Sequence, residues 1–142
     1  MTSGSQEKQG KLKIPVSDRD HTMGPKDAPI QLVEYGDYQC PHCSSANIVI
    51  NDLLKRMGDQ VNYIFRHFPL SKIHLEAQYA AEVAEAAGAQ GKYWEMHELL
   101  FENQKRFTEE NIFVNLAKEL ELDIEKFQKD LERFCTIQSM FY

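Results

Sequence analysis

The run Ile30-Gln31-Leu32-Val33-Glu34-Tyr35 is apolar over a length that suits a buried strand. Downstream, Ala46, Ile48, Val49, Ile50, Leu53, Leu54 and Met57 recur at helical spacing, and Gly58 follows as a C-terminal cap. Val61 to Phe68 reads as a second strand, ended by Pro69. Strand, helix and strand in this order predict a right-handed parallel unit. Ahead of it, Lys11 to Val16 is expected as a short edge strand, because Pro15 would spoil a central one. Ser17 to Pro29 is turn-forming.

From Lys72 the period becomes helical. Leu75 to Ala87 carries a small-residue face of Ala77, Ala80, Ala81, Ala84 and Ala87. Lys92 to Asn103 turns Tyr93, Trp94, His97, Leu100 and Phe101 towards a core. Thr108 is read as the cap of a third helix with Ile112, Phe113, Leu116 and Leu120. Asp123 is read as the cap of a fourth with Ile124, Phe127, Leu131 and Phe134. The chain thus divides into a tail with an edge strand (1–28), a strand–helix–strand unit (29–71), a helical subdomain (72–134) and an atypical end (135–142).

Composition narrows the function. At 142 residues there is room for one domain with enough core to fold without staples. A net charge of −6 argues against nucleic acid as the main partner. No stretch approaches a membrane-spanning run. Met1 to Lys13 has no apolar signal core, so a cytoplasmic location is expected unless a leader was removed before this numbering. Three cysteines make a structural disulfide framework an unsuitable reading; the arithmetic is one redox pair plus one spare.

The pair is Cys40-Pro41-His42-Cys43, where the strand run hands over to the helix. Unpaired N–H groups and the positive end of the helix dipole favour an anion there, and the thiolate is the reactive form of cysteine. Cys40, at the helix start, is the expected nucleophile, and Cys43, one turn deeper, the resolving thiol. Pro41 suits the first helical turn. His42, if protonated, adds positive charge, which points towards donating disulfides. Glu34 interrupts an apolar strand expected to be buried on both faces. Burial there would raise its pKa and let it accept the proton of Cys43, directly or through water. The competing reading is a strand-end glutamate in solvent. The expected cofactor is none beyond the dithiol itself.

Val33-Glu34-Tyr35-Gly36-Asp37-Tyr38-Gln39-Cys40-Pro41-His42-Cys43 resembles the active-site stretch of the DsbA-like thioredoxin-fold disulfide oxidoreductases. Phe65-Arg66-His67-Phe68-Pro69-Leu70 resembles their second strand, and Ala80-Ala81-Glu82 with Gln90 to His97 their inserted helical subdomain. The resemblance implies an α/β thioredoxin-like fold, with Cys40 attacking, Cys43 resolving, His42 tuning and Glu34 the buried acid. It implies protein thiols or disulfides as substrates and a redox partner. Arg19-Asp20-His21 to Pro29 resembles signal-less members, including domains attached to sodium/proton antiporters. The family's Thr-Pro pair, whose cis-proline faces the dithiol, and its last strands have no counterpart after Pro69. The chain therefore reads as a shortened or frame-altered member, with an open sheet edge that an oligomer would complete.

Other readings stand beside this one. A Cys-x-x-Cys is also half a zinc site, with Cys135 and one of His42, His67 or His97 as further ligands. An incomplete domain serving as an interaction or zinc-binding module is the alternative to the enzyme. Glutathione-dependent transfer on the same fold is a third class, but it needs no second cysteine. His67 and His97 read as core or boundary residues, and His21 and His74 as surface loop residues. Trp94 reads as core, Cys135 as a bystander, and Glu119, Glu121, Asp123 and Glu125 as a solvated face.

Overall fold

The computed structural model describes residues 11–134. Strand β1 (His21–Met23) is followed by β2 (Ile30–Gly36), helix α1 (Pro41–Met57) and β3 (Val61–His67). Four helices complete the order: α2 (Ala77–Gly88), α3 (Tyr93–Glu102), α4 (Ile112–Glu119) and α5 (Ile124–Phe134). The sheet order is β1-β3-β2. β2 runs parallel to β3 in a register from Ile30 opposite Val61 to Gly36 opposite His67. β1 runs antiparallel, from His21 opposite Phe65 to Met23 opposite Tyr63. This is the thioredoxin-like α/β fold expected, with a short, open three-stranded sheet.

Only β3 is buried along its whole length; β2 lies at the sheet edge and exposes Ile30 and Tyr35. The expectation that β2 is buried on both faces therefore fails, because strand β3 takes the central place. The expected strand at Lys11 to Val16 is also absent. The carbonyls of Ile14 and Pro15 instead accept hydrogen bonds from the Arg66 guanidinium, at 2.8 and 3.1 Å. The edge position belongs to β1.

The core lies between this sheet and the helices. Tyr63 and Phe65 of β3 meet Ala80, Ala84 and Ala87 of α2 and Met96, Leu100 and Phe101 of α3. All five alanines of the small-residue face are buried, which lets α3 and α5 approach α2 closely. Helix α1 turns Cys43, Asn47, Ile50 and Leu54 inward at spacings of four, three and four, one face of a 3.6-residue period. Ile48 and Val49 are exposed on its other side. Gly58, at φ 53°, ends α1 as expected, since its left-handed backbone suits glycine.

The caps of the last two helices divide. Asp123 accepts from the Lys126 N–H at 3.1 Å, an N-cap bond. Thr108 does not cap α4: the chain turns through residues 104–111, and Asn111, at φ 60°, immediately precedes the helix. Asparagine tolerates that conformation better than most residues. Glu119, Glu121, Asp123 and Glu125 are all exposed. Cys135 lies outside the described residues. Among those described, no helix is long and apolar enough to cross a membrane.

Candidate functional site

The sequence places the dithiol at a strand–helix junction, and the structure builds that junction from several directions. Cys40 is the N-cap residue of α1, in extended backbone conformation, and Pro41 takes the first helical position. Pro41 and His42 are exposed, while Cys40 and Cys43 are half-buried. Cys43 opens the inward face of α1 and packs against the core. Burial pushes its thiol up to about 11, against a backbone hydrogen bond from Asp37 that favours the thiolate. The neighbouring Cys40 sulfur and the charge of Glu34 raise it further.

Asp37 organises the turn before Cys40. Its carboxylate is buried and accepts the Gln39 N–H at 2.7 Å, an Asx turn. It also accepts the Leu70 N–H at 3.0 Å and the His74 Nδ1 donor at 2.7 Å. The Asp37 carbonyl accepts the Cys40 N–H at 3.1 Å. Gln104, after α3, closes the other side. Its side-chain amide donates to the carbonyls of Tyr38 and Cys40, both at 2.8 Å. The sequence reading missed both roles. The Asp37-to-Gln39 turn leaves a local signal, an Asp three positions before the helix cap. Gln104 leaves none, because its partners lie 64 and 66 residues away. His74, read as a surface residue, is instead half-buried against Asp37.

Glu34 projects from β2 as the sequence suggested, and the Tyr63 hydroxyl on the neighbouring strand donates to it. Burial raises its pKa above the ordinary carboxylate value, partly offset by the Tyr63 bond. Its charge acts on Cys43, so acid and thiol share one electrostatic environment. Gly36 lets this part of the sheet close. A Cβ there would lie 2.3 Å from the Phe65 ring and 3.5 Å from Glu34 Oε1.

Beneath the junction runs a buried polar chain. His97 is fully buried, and burial lowers its pKa to about 3, so the ring is neutral. Its Nε2 lies 3.2 Å from Asn47 Oδ1, an acceptor, so Nε2 carries the hydrogen. Nδ1 then accepts from the Tyr38 hydroxyl at 2.8 Å. Asn47 and Asn51 both donate to Glu98, tying α1 to α3. His97 is thus a satisfied core histidine, as the sequence implied.

His21 departs from its surface reading. It stacks on Tyr93, with ring centroids 3.5 Å apart, and contacts Glu85 at 2.8 Å. His67 contacts the same Glu85 oxygen at 2.8 Å. Burial alone would raise Glu85, but the hydrogen bonds with His21 and His67 take it down to about 2. Glu85 thus docks α2 on both β1 and β3. Among the described residues no group of three or more His, Cys, Asp or Glu side chains is arranged to hold a metal, so the zinc reading gains no support.

The matching family is described as thioredoxin and covers residues 16–139. Na(+)/H(+) antiporter NhaA 1 of Salinispora arenicola is 44% identical over 121 residues, which are 84% of this chain and 18% of that protein. A thioredoxin-like oxidoreductase from Silicibacter pomeroyi is 27% identical with a TM-score of 0.68, covering 82% of this chain and 65% of its own. Alpha-DsbA1 of Wolbachia pipientis, at 21% identity and a TM-score of 0.72, covers 90% of this chain and 64% of its own, and shows the shared fold. The chain thus spans about a fifth of the antiporter and under two thirds of these solved chains. The cytoplasmic location expected from the sequence is overturned by the likeness to DsbA-family oxidoreductases, because persistent disulfides belong to oxidising compartments. With the family pattern spanning most of its length and a Cys-x-x-Cys at the head of α1, the chain belongs to the thioredoxin family and has the DsbA-like thioredoxin fold.

Proposed function

We propose that this domain exchanges a Cys40–Cys43 disulfide with protein thiols. The observation that carries the reading is the asymmetry of the pair: Cys40 caps the helix, while Cys43 faces the core with its thiol raised to about 11. In the reducing direction the Cys40 thiolate attacks a substrate disulfide. One substrate sulfur leaves with the electron pair and a mixed disulfide forms. Cys43 then attacks the Cys40 sulfur, expels the second substrate thiolate and closes the Cys40–Cys43 bond. Oxidation of a substrate dithiol is the reverse, with two electrons passing to the Cys40–Cys43 pair. Burial holds the Cys43 thiol in its protonated form at neutral pH. Closure therefore needs a proton acceptor as the new bond forms. Glu34 takes that role, and in the reverse direction returns the proton. Pro41 fixes the first turn, and His42 stands exposed in that turn between the two cysteines.

The substrate is an unfolded, apolar cysteine-bearing polypeptide. Phe68, Leu70, Ile73 and Leu75 between β3 and α2, and Tyr79 on α2, are all exposed. Ile73 is 71% and Leu75 81% exposed, more than an isolated domain needs. This loop is held against the dithiol turn by Asp37 and by Gln39, whose side chain accepts the Glu76 N–H at 2.8 Å. A chain lying on it therefore lies beside Cys40. The test compares oxidation of a reduced, unfolded protein with oxidation of dithiothreitol by the oxidised domain. Ile73→Asp with Leu75→Asp should slow the first about tenfold, the loss of two apolar contacts of about 0.7 kcal/mol each, and leave the second unchanged. Equal rates for both substrates in variant and parent would remove the docking reading. A domain inert towards both would remove the exchange reading.

A further inference from the structure

Tyr63 has no part in the scheme above, yet its hydroxyl ends on the acid that the scheme uses. In the β2–β3 register Tyr63 stands opposite Leu32 and Phe65 opposite Glu34. Residues two apart on a strand share a face, so Tyr63 and Glu34 leave the sheet on the same side. The Tyr63 ring is buried and lies 5.6 Å from Trp94, and its hydroxyl donates to Oε2 of Glu34. The other oxygen, Oε1, lies against Gly36, 3.5 Å from where a Cβ would stand. That is the edge of the turn whose Asp37 backbone bonds Cys43. One carboxylate oxygen is thus occupied from β3, and the other lies over Gly36, where β2 ends and the turn to Cys40 begins.

We propose that Tyr63 is a positioning residue for the proton transfer at Cys43: its hydroxyl holds Glu34 by Oε2 and leaves Oε1 as the atom that exchanges the proton. This rests on the Glu34 role given above. Glu34 is coupled to three elements: the Tyr63 hydroxyl on β3 acts on it, and its own charge acts on Cys43 of α1 and Tyr93 of α3. Glu98 of α3 acts on Tyr63 in turn. Burial first, and then the charge of Glu34, keeps the Tyr63 hydroxyl protonated well above its ordinary range, so it remains a donor at every working pH. A donor to the carboxylate favours the ionised form, opposing the rise that burial imposes on Glu34. Glu34 accepts a proton only when ionised. Resolution by Cys43 therefore falls off on the acid side at the point where Glu34 protonates, and loss of the Tyr63 bond moves that fall to higher pH.

The test uses Ellman's reagent in a Cys135→Ser background. Attack by Cys40 releases the first equivalent of thionitrobenzoate and leaves a mixed disulfide. Attack by Cys43 on Cys40 then releases the second equivalent and closes the disulfide. Tyr63→Phe should leave the first phase unchanged and move the acid limb of the second upward by about one pH unit, the size of a hydrogen bond to a charged group. Glu34→Gln should abolish that limb, and adding Tyr63→Phe to it should change nothing. The infrared carboxyl band absent from Glu34→Gln should titrate at correspondingly higher pH in Tyr63→Phe. An unmoved limb and band in Tyr63→Phe, with the limb still abolished by Glu34→Gln, would overturn the assignment of Tyr63 alone. So would equal slowing of both phases without displacement of the limb. A limb that survives in Glu34→Gln would overturn the Glu34 role and this inference with it.

Discussion

Cys43→Ala is expected to halt turnover while leaving the first chemical step intact. Cys40 keeps its place as the cap of α1, so attack on a substrate disulfide still forms a mixed disulfide. What disappears is the internal thiol, one helical turn away, that clears it. A well-placed intramolecular group acts at a very high effective molarity. Millimolar external thiol should therefore release the adduct at least about a thousandfold more slowly. Non-reducing mass spectrometry should find a stoichiometric adduct through Cys40 in this variant and none in Cys40→Ser. An equal adduct yield from both variants would mean that the wrong sulfur has been made the nucleophile.

Arg66→Ala should be the most destabilising single change away from the dithiol. The guanidinium is fully buried and bidentate to Asp20, at 2.8 and 3.0 Å. It also donates to the Tyr35 hydroxyl at 2.9 Å and to the Ile14 and Pro15 carbonyls. Removing it leaves the Asp20 carboxylate, 1% exposed, facing a void. Breaking one side of a buried pair costs about 3–5 kcal/mol, a large share of a domain's whole stability. The pair as a whole is a different matter, since its desolvation offsets much of its attraction. Arg66→Met with Asp20→Leu should recover most of the loss, and urea unfolding of the parent, Arg66→Met, Asp20→Leu and the double variant measures the coupling. A loss under 1 kcal/mol in Arg66→Ala would show that the N-terminal segment is not anchored in this way.

These two expectations differ in how far the sequence announced them. The dithiol, its helix and the flanking strands were legible because their signals are contiguous: an apolar run, a cap, Pro41 in the first turn, then a 3.6-residue period. Glu34 stood out because a carboxylate in an apolar run is anomalous. Arg66 was legible only as part of a family-like stretch and not as an ion-pair partner, since Asp20 is 46 residues away in a segment read as turns. Tyr63 was hidden for the same reason, 29 residues from Glu34 on a strand where a tyrosine is ordinary. Local pattern also could not say which strand is central. β2 and β3 look alike as runs, and only the pairing of β1 with β3 puts β2 at the edge. At Asn111, turn geometry outweighed the capping signal of Thr108.

The most direct test is a redox titration in glutathione buffers of varied ratio, with free thiols trapped by alkylation and assigned by mass. Cys40 and Cys43 should lose and regain alkylation together, as one two-electron couple that is indifferent to Cys135→Ser. Cysteines that stay alkylated across the whole range, or that oxidise singly into adducts without ever pairing, would contradict it.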